Sequence, residues 1–137
     1  MTLVLDASVL LKWFIEEPGS EAALDFKRRY LDGEAAIVIP DLALYEIPNV
    51  LRFKRGVHEP EVKAVMRAFW LLGLDTVAPT EPLLEEAIGL SFATGLSLYD
   101  CAYLALAKEL DAALITADAQ LHRAASRLVR TTLLHSD

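Results

Sequence analysis

Four acidic residues stand in segments that are otherwise largely apolar. They are Asp6 in VLDASVLLKWF (4–14), Glu46 in PDLALYEIPNVL (40–51), Asp100 in SLYDCAYLALA (97–107) and Asp118 closing LITAD (114–118). Asp6 and Asp118 each follow a short aliphatic run, the place where open parallel sheets present their ligand-binding groups. Glu46 falls within a helical pattern whose i±3 and i±4 neighbours are Leu42, Ala43, Asn49 and Val50. A carboxylate there is poorly solvated unless something pairs with it. Asp100 is the only charged residue between Glu86 and Lys108. Two carboxylates about 4 Å apart repel by roughly 4 kcal/mol at an effective dielectric near 20, so a cleft that gathers all four calls for a cation. Hard oxygen donors with no cluster of His or Cys among them suit Mg²⁺ or Mn²⁺. A divalent ion held this way is a device for phosphodiester hydrolysis.

Each acid also has a purely structural reading. Asp6 or Ser8 caps the helix that follows, and Asp118 caps 119–127. Ser97 and Asp100 match the S-x-x-D capping-box spacing. Glu46 would need a buried ion pair with a residue such as Arg52 or Lys12. Taken singly, the three aspartates read as caps; the joint pattern, with Glu46 on an inward helix face, favours a metal-binding cleft.

The elements that must position these residues alternate from end to end. Strands are expected at Leu3–Leu5, Ala36–Ile39 and Ala113–Thr116, with weaker ones at Leu74–Val77 and Val129–Leu133. Helices are expected over 8–15, 21–32, from Pro40-Asp41 toward Gly56, 60–72, 80–94, 97–110 and 118–127. Pro48 sits inside the third of these, so that helix either kinks or divides. Strands apolar throughout and separated by helices imply an α/β fold, a parallel sheet of four or five strands covered by helices on both faces.

Composition limits the rest. The chain has 137 residues, 54% of them hydrophobic and 24% charged, which predicts one domain over 1–137 with a real core and no disorder. The lone Cys101 excludes an internal disulfide, and His58, His122 and His135 lie too far apart in sequence to read as metal ligands. Residues 1–10 lack a basic leader, and the longest uncharged stretch, Ala87–Tyr99, is too short and polar to span a bilayer. A soluble, cytoplasmic protein with no membrane partner is expected. The net charge of −7 argues against coating nucleic acid through a broad basic surface, while leaving room for a basic strip beside an acidic cleft.

These segments, in this order, resemble the PIN-domain nucleases, and in particular the VapC toxins of VapBC toxin–antitoxin pairs. The resemblance rests on LDAS (5–8), the Pro40–Glu46 segment, LSLYDCAYLALA (96–107) and LITAD (114–118), and it spans Leu3 to about Ala125. It implies a three-layer α/β fold and an acidic pocket holding Mg²⁺ or Mn²⁺, with Asp6, Glu46, Asp100 and Asp118 as the acidic set. Asp6 and Asp100 would bind the principal ion, and Glu46 and Asp118 would complete the pocket. Ser8 and Thr116 match the polar positions that hold ligands or water there. The activity implied is metal-assisted hydrolysis of RNA, leaving a 5′-phosphate and a 3′-hydroxyl. A homodimer and a VapB-like antitoxin bound through an apolar groove are the partners implied. Two departures stand out: Pro48 lies where such proteins continue the helix, and Cys101 replaces a smaller residue after the third acid.

Arg52, Lys54 and Arg55 follow Glu46, and Lys12 lies one helical turn past Ser8, so these four are the candidates for RNA contact; the alternative is a solvated helix end. Lys27-Arg28-Arg29 reads as surface. Trp13, Phe14, Phe53, Phe69 and Trp70 read as core, with some available to a dimer face. A phosphoacceptor receiver domain needs an acidic pair after the first strand, and a haloacid-dehalogenase phosphatase needs D-x-D there; Asp6-Ala7-Ser8 satisfies neither. The remaining alternatives are a non-catalytic PIN-fold interaction module and a nuclease acting on DNA.

Overall fold

The aliphatic runs form strands because they can be buried on both faces of one sheet. The computed structural model describes residues 1–135. In it β1 (Thr2–Leu5), β2 (Ala36–Pro40), β3 (Asp75–Val77), β4 (Ala113–Thr116) and β5 (Thr131–Leu133) lie in the order β3-β2-β1-β4-β5, every neighbouring pair parallel. Leu3, Val4 and Leu5 of β1 and Leu114, Ile115 and Thr116 of β4 are all buried, which is why the two central strands show no polar alternation. The edge strands β3 and β5 are three residues each and only partly covered, and their sequence signal is correspondingly faint.

The helices among the described residues are α1 (Ala7–Leu10), α2 (Ser20–Leu31), α3 (Ala43–Arg52), α4 (Glu59–Leu71), α5 (Glu81–Thr94), α6 (Leu98–Leu110) and α7 (Ala119–Ala125). The first is shorter than the 8–15 expected, because Leu11–Trp13 tightens into a 3₁₀ turn. The third begins at Ala43, not at Pro40-Asp41, because Pro40 still pairs with Val77 in the sheet. It then runs as one helix through Pro48, which lacks only the N–H that the Leu44 carbonyl would accept.

Helix α6 is buried over most of its circumference, through Cys101, Tyr103, Leu104, Ala105, Leu106 and Ala107. It packs on β1, β2 and β4 on one side and on α5 on another, so the residues at its start are fixed relative to the strand ends. Trp13 and Phe69 are buried as expected, and Trp13 donates its indole N–H to the Ala23 carbonyl at 2.8 Å. Phe53 and Trp70 correct that expectation: they are 73% and 69% exposed. Phe53 instead lies under the Arg52 guanidinium, 4.8 Å from its ring centre. Among the described residues no single helix is long and apolar enough to cross a membrane.

Candidate active site

The strand order reverses direction between β1 and β4, since the chain leaves β1 to build β2 and β3 on one side and later builds β4 and β5 on the other. A crevice opens at the carboxyl ends of such a pair. Asp6 is the residue after β1, and Thr116 ends β4, one step beyond the Leu5–Ile115 register pair. Adjacency in the sheet therefore joins two residues that are 110 positions apart.

Asp6 is buried at 4% exposure, yet its carboxylate accepts three hydrogen bonds. Oδ1 accepts from the Ser8 hydroxyl at 2.5 Å and from the Val9 amide at 3.3 Å, and Oδ2 accepts from the Thr116 hydroxyl at 2.5 Å. Each hydroxyl spends its single proton on Asp6 and receives a backbone N–H in return: Ser8 from Ala117 and Thr116 from Asp118, both at 3.0 Å. That reciprocity fixes the direction of every bond. Burial pushes the Asp6 carboxyl up to about 6 against the pull of these donors, and the Asp100 charge adds to the rise.

The capping reading of two of the aspartates is what the structure shows. Asp6 caps α1, and Asp118 caps α7 by accepting from Gln120 and Leu121 at 2.8 and 3.2 Å, both on Oδ1. Asp100 sits in the first turn of α6, where the Ser97 hydroxyl accepts its backbone N–H at 3.1 Å. Only half of a capping box is present, because the Asp100 carboxylate does not return a bond to the Ser97 amide. Burial raises the Asp100 pKa, and the charge of Asp118 raises it further.

Among the described residues Glu46 has no ion-pair partner. Lys12 is engaged by Glu17 at 2.9 Å and Arg52 lies over Phe53, so the ion pair weighed for Glu46 does not form. Its partner is the Tyr103 hydroxyl, which donates to Oε1 at 2.7 Å. Burial raises the Glu46 pKa, the Tyr103 bond opposes that, and the charges of Asp100 and Asp6 add to it. Sequence reasoning missed Tyr103. The available signal was a phenol inside a buried apolar helix, three residues after Asp100 and therefore on the same helix face.

The four acids are linked in a chain of charge contacts: Asp6 and Glu46 each sense Asp100, Glu46 senses Asp6, and Asp100 senses Asp118. Glu46 Oε2 and Asp118 Oδ2 accept no hydrogen bond from any described residue. This donor set, all hard oxygen with unengaged atoms, is the chemistry that Mg²⁺ or Mn²⁺ takes. Among the described residues no three of His, Cys, Asp or Glu already stand at the spacing of a metal cage. Like charges resist that approach until a cation offsets them.

The basic candidates separate into two places. Lys12 and Lys54 converge on Glu17, at 2.9 and 3.7 Å. Arg52 instead lines a cleft of about 770 Å³ between α3 and α4 with Tyr45, Asn49, His58 and Val62. Arg55 is exposed just past α3.

Known proteins share this architecture. The chain is 32% identical over 125 residues to Ribonuclease VapC3 of Pyrobaculum aerophilum, covering 88% of this chain and 92% of that one. It superposes on the crystal structure of PAE2754 from Pyrobaculum aerophilum with a TM-score of 0.69 at 20% identity, covering 96% of this chain and 83% of that one. For VapBC2 from Rickettsia felis, bound to a DNA fragment from its promoter, the TM-score is 0.71 at 12% identity, with 97% and 98% covered. The PIN domain family model matches residues 3–127, a span that includes strands β1 to β4 from Leu3 onward and the positions of the four acids, and the chain belongs to that family.

Proposed function

We propose that the protein is a metal-dependent endoribonuclease and the toxin of a toxin–antitoxin pair. The observation that carries this reading is the gathering of acids at one end of the sheet: Thr116 bonds Asp6 and the Asp118 amide at the carboxyl ends of β1 and β4, and Asp100 of α6 and Glu46 of α3 lie close enough for their charges to be felt there. A purely structural cluster gains nothing from four carboxylates that repel one another. The ribonuclease name of the Pyrobaculum aerophilum relative supports RNA as substrate, and the VapBC2 complex supports a protein partner.

Asp6 and Asp100 would hold Mg²⁺ or Mn²⁺, with Glu46 and Asp118 completing the pocket directly or through water. When bound, such an ion supplies a water of lowered pKa and offsets charge developing on the phosphate. The chain's own residues prepare that site. Ser8 and Thr116 orient Asp6 and favour its ionised form by donating to both of its oxygens. The Asp118 amide and the Ala117 amide hold those hydroxyls in turn. Lys12, Arg52, Lys54 and Arg55 would meet RNA phosphates on the approach, with Lys12 and Lys54 sharing Glu17 until phosphate competes for them.

An antitoxin would dock on the apolar surface of α3 and α4, where Tyr45 and Trp70 are exposed. The exposed α5 side chains Leu84, Ile88 and Phe92 recur every four residues and would serve a homodimer. The working compartment would be the cytoplasm, where RNA is available.

The test is cleavage of a structured RNA, and of DNA in parallel, with Mg²⁺, with Mn²⁺ and with chelator, using Asp100→Asn purified identically. Metal-dependent RNA cleavage lost in the variant is expected. Equal cleavage by both proteins would assign the activity to a contaminant, and preference for DNA would overturn the RNA assignment.

A further inference from the structure

Tyr103 lies outside the four acids, yet its geometry ties it to one of them. Its side chain is 1% exposed, its hydroxyl donates to Glu46 Oε1 at 2.7 Å, and that bond joins α6 to α3 across 57 residues of sequence. A buried phenol needs a partner, and a carboxylate can answer only as an acceptor. Glu46 has two oxygens, and the bond engages one of them, so Oε2 is left as the oxygen available to a ligand. Helix α6 carries both Asp100 and Tyr103, three residues apart and on one face. The same rigid, buried element therefore presents one acid directly and holds a second through its hydroxyl. Long acidic side chains such as glutamate are the least well fixed by their own backbone, having rotatable bonds an aspartate lacks. Of the four acids, Glu46 is the one that needs an external restraint.

We propose that Tyr103 is a positioning residue for Glu46, pinning Oε1 so that Oε2 is directed to the metal and substrate of the acidic site. The inference rests on the reading of that site as a metal-dependent nuclease centre. Outer partners of ligating carboxylates typically carry 10- to 100-fold in metal affinity or activity, which sets the size of the effect.

The experiment is a double-mutant cycle read by Mn²⁺ titration calorimetry without RNA and by steady-state RNA cleavage. The proteins are wild type, Tyr103→Phe, Glu46→Gln and the double variant, with Asp100→Asn as the site control. Circular dichroism checks that each is folded. Tyr103→Phe should weaken Mn²⁺ binding about tenfold and lower kcat with KM for RNA little changed. On the Glu46→Gln background the same change should cost almost nothing. A role confined to core packing would lower stability but leave the two losses additive. Glu46→Asp, which keeps the charge and withdraws it from the hydroxyl, should reproduce the Tyr103→Phe phenotype even if that variant folds poorly. Undiminished Mn²⁺ affinity and kcat in Tyr103→Phe, or additive losses, would overturn the role of Tyr103 while leaving the site intact. Mn²⁺ binding that is absent in wild type, or equal in Asp100→Asn, would instead overturn the reading of the site itself, and the role of Tyr103 with it.

Discussion

Replacing Thr116 by valine removes one hydroxyl and nothing of its shape, at a position with no exposure. That hydroxyl donates to Asp6 Oδ2 at 2.5 Å and accepts the Asp118 N–H at 3.0 Å. The bond to an ionised partner is worth about 1.5–3 kcal/mol and the neutral one about 0.5–1.5 kcal/mol, so Thr116→Val should lose about 2–4.5 kcal/mol at pH 7.5. Thr116→Ser keeps both bonds and should lose only about 1 kcal/mol for its methyl group. The loss also carries a pH signature. The Asp6 carboxyl titrates at about 6 in the folded protein, and deleting a bond that favours the carboxylate raises it further while the unfolded value stays near 3.9. The added instability therefore appears as pH rises through about 6, and the deficit of the valine variant should shrink by about 1 kcal/mol at pH 5. Urea unfolding in chelator at both pH values, followed by the fluorescence of buried Trp13, measures this. A deficit equal at pH 5 and 7.5, or a valine variant as stable as the serine one, would refute the hydroxyl's link to Asp6.

The remaining expectations concern charge and capping. In chelator, wild-type stability should fall by about 1–2 kcal/mol from pH 5 to 7.5, because folded Asp6 holds its proton up to about 6 while the unfolded residue releases it near 3.9. Glu46 and Asp100, also raised, push in the same direction; denaturant midpoints that climb over this range would contradict their burial. Millimolar Mn²⁺ should raise the melting temperature of the wild type through preferential binding to the folded state. Asp100→Asn should blunt that rise while leaving the metal-free protein as stable or more so, and an identical rise in both proteins would remove Asp100 from the ligand set. Ser97→Ala deletes the cap of α6 and should cost about 1 kcal/mol in calorimetry, together with slower RNA cleavage because it loosens the turn bearing Asp100. Unchanged cleavage at equal folded fraction would separate the cap from the site.

The unusual placement of the four acids was legible because each interrupts a run whose physical character is otherwise uniform. Charge inside an apolar helix or just after a buried strand is costly unless it has a task, and that cost is visible in one dimension. What Glu46 bonds to was not visible. Its partner lies 57 residues away, and proximity in sequence pointed to Lys12 and Arg52, which Glu17 and Phe53 engage instead. The alternation of strand and helix gave the α/β class, while the lateral order of strands depends on which edges meet and leaves no local trace. Phe53 and Trp70 were misread for a related reason. Aromatic residues are core residues on average, and only the position of α3 and α4 at the surface exposes these two.

The bond between Thr116 and Asp6 also has a consequence in time. Asp6 is made by a ribosome 110 residues before Thr116, and the strands that carry them are neighbours in the sheet. No partial product that stops before β4 can assemble the pocket, since Asp6 then lacks Thr116, and Asp118 does not yet exist. Such long-range closure is slow relative to local helix formation. Synthesis order alone therefore leaves the pocket unassembled until β4 has emerged and docked beside β1.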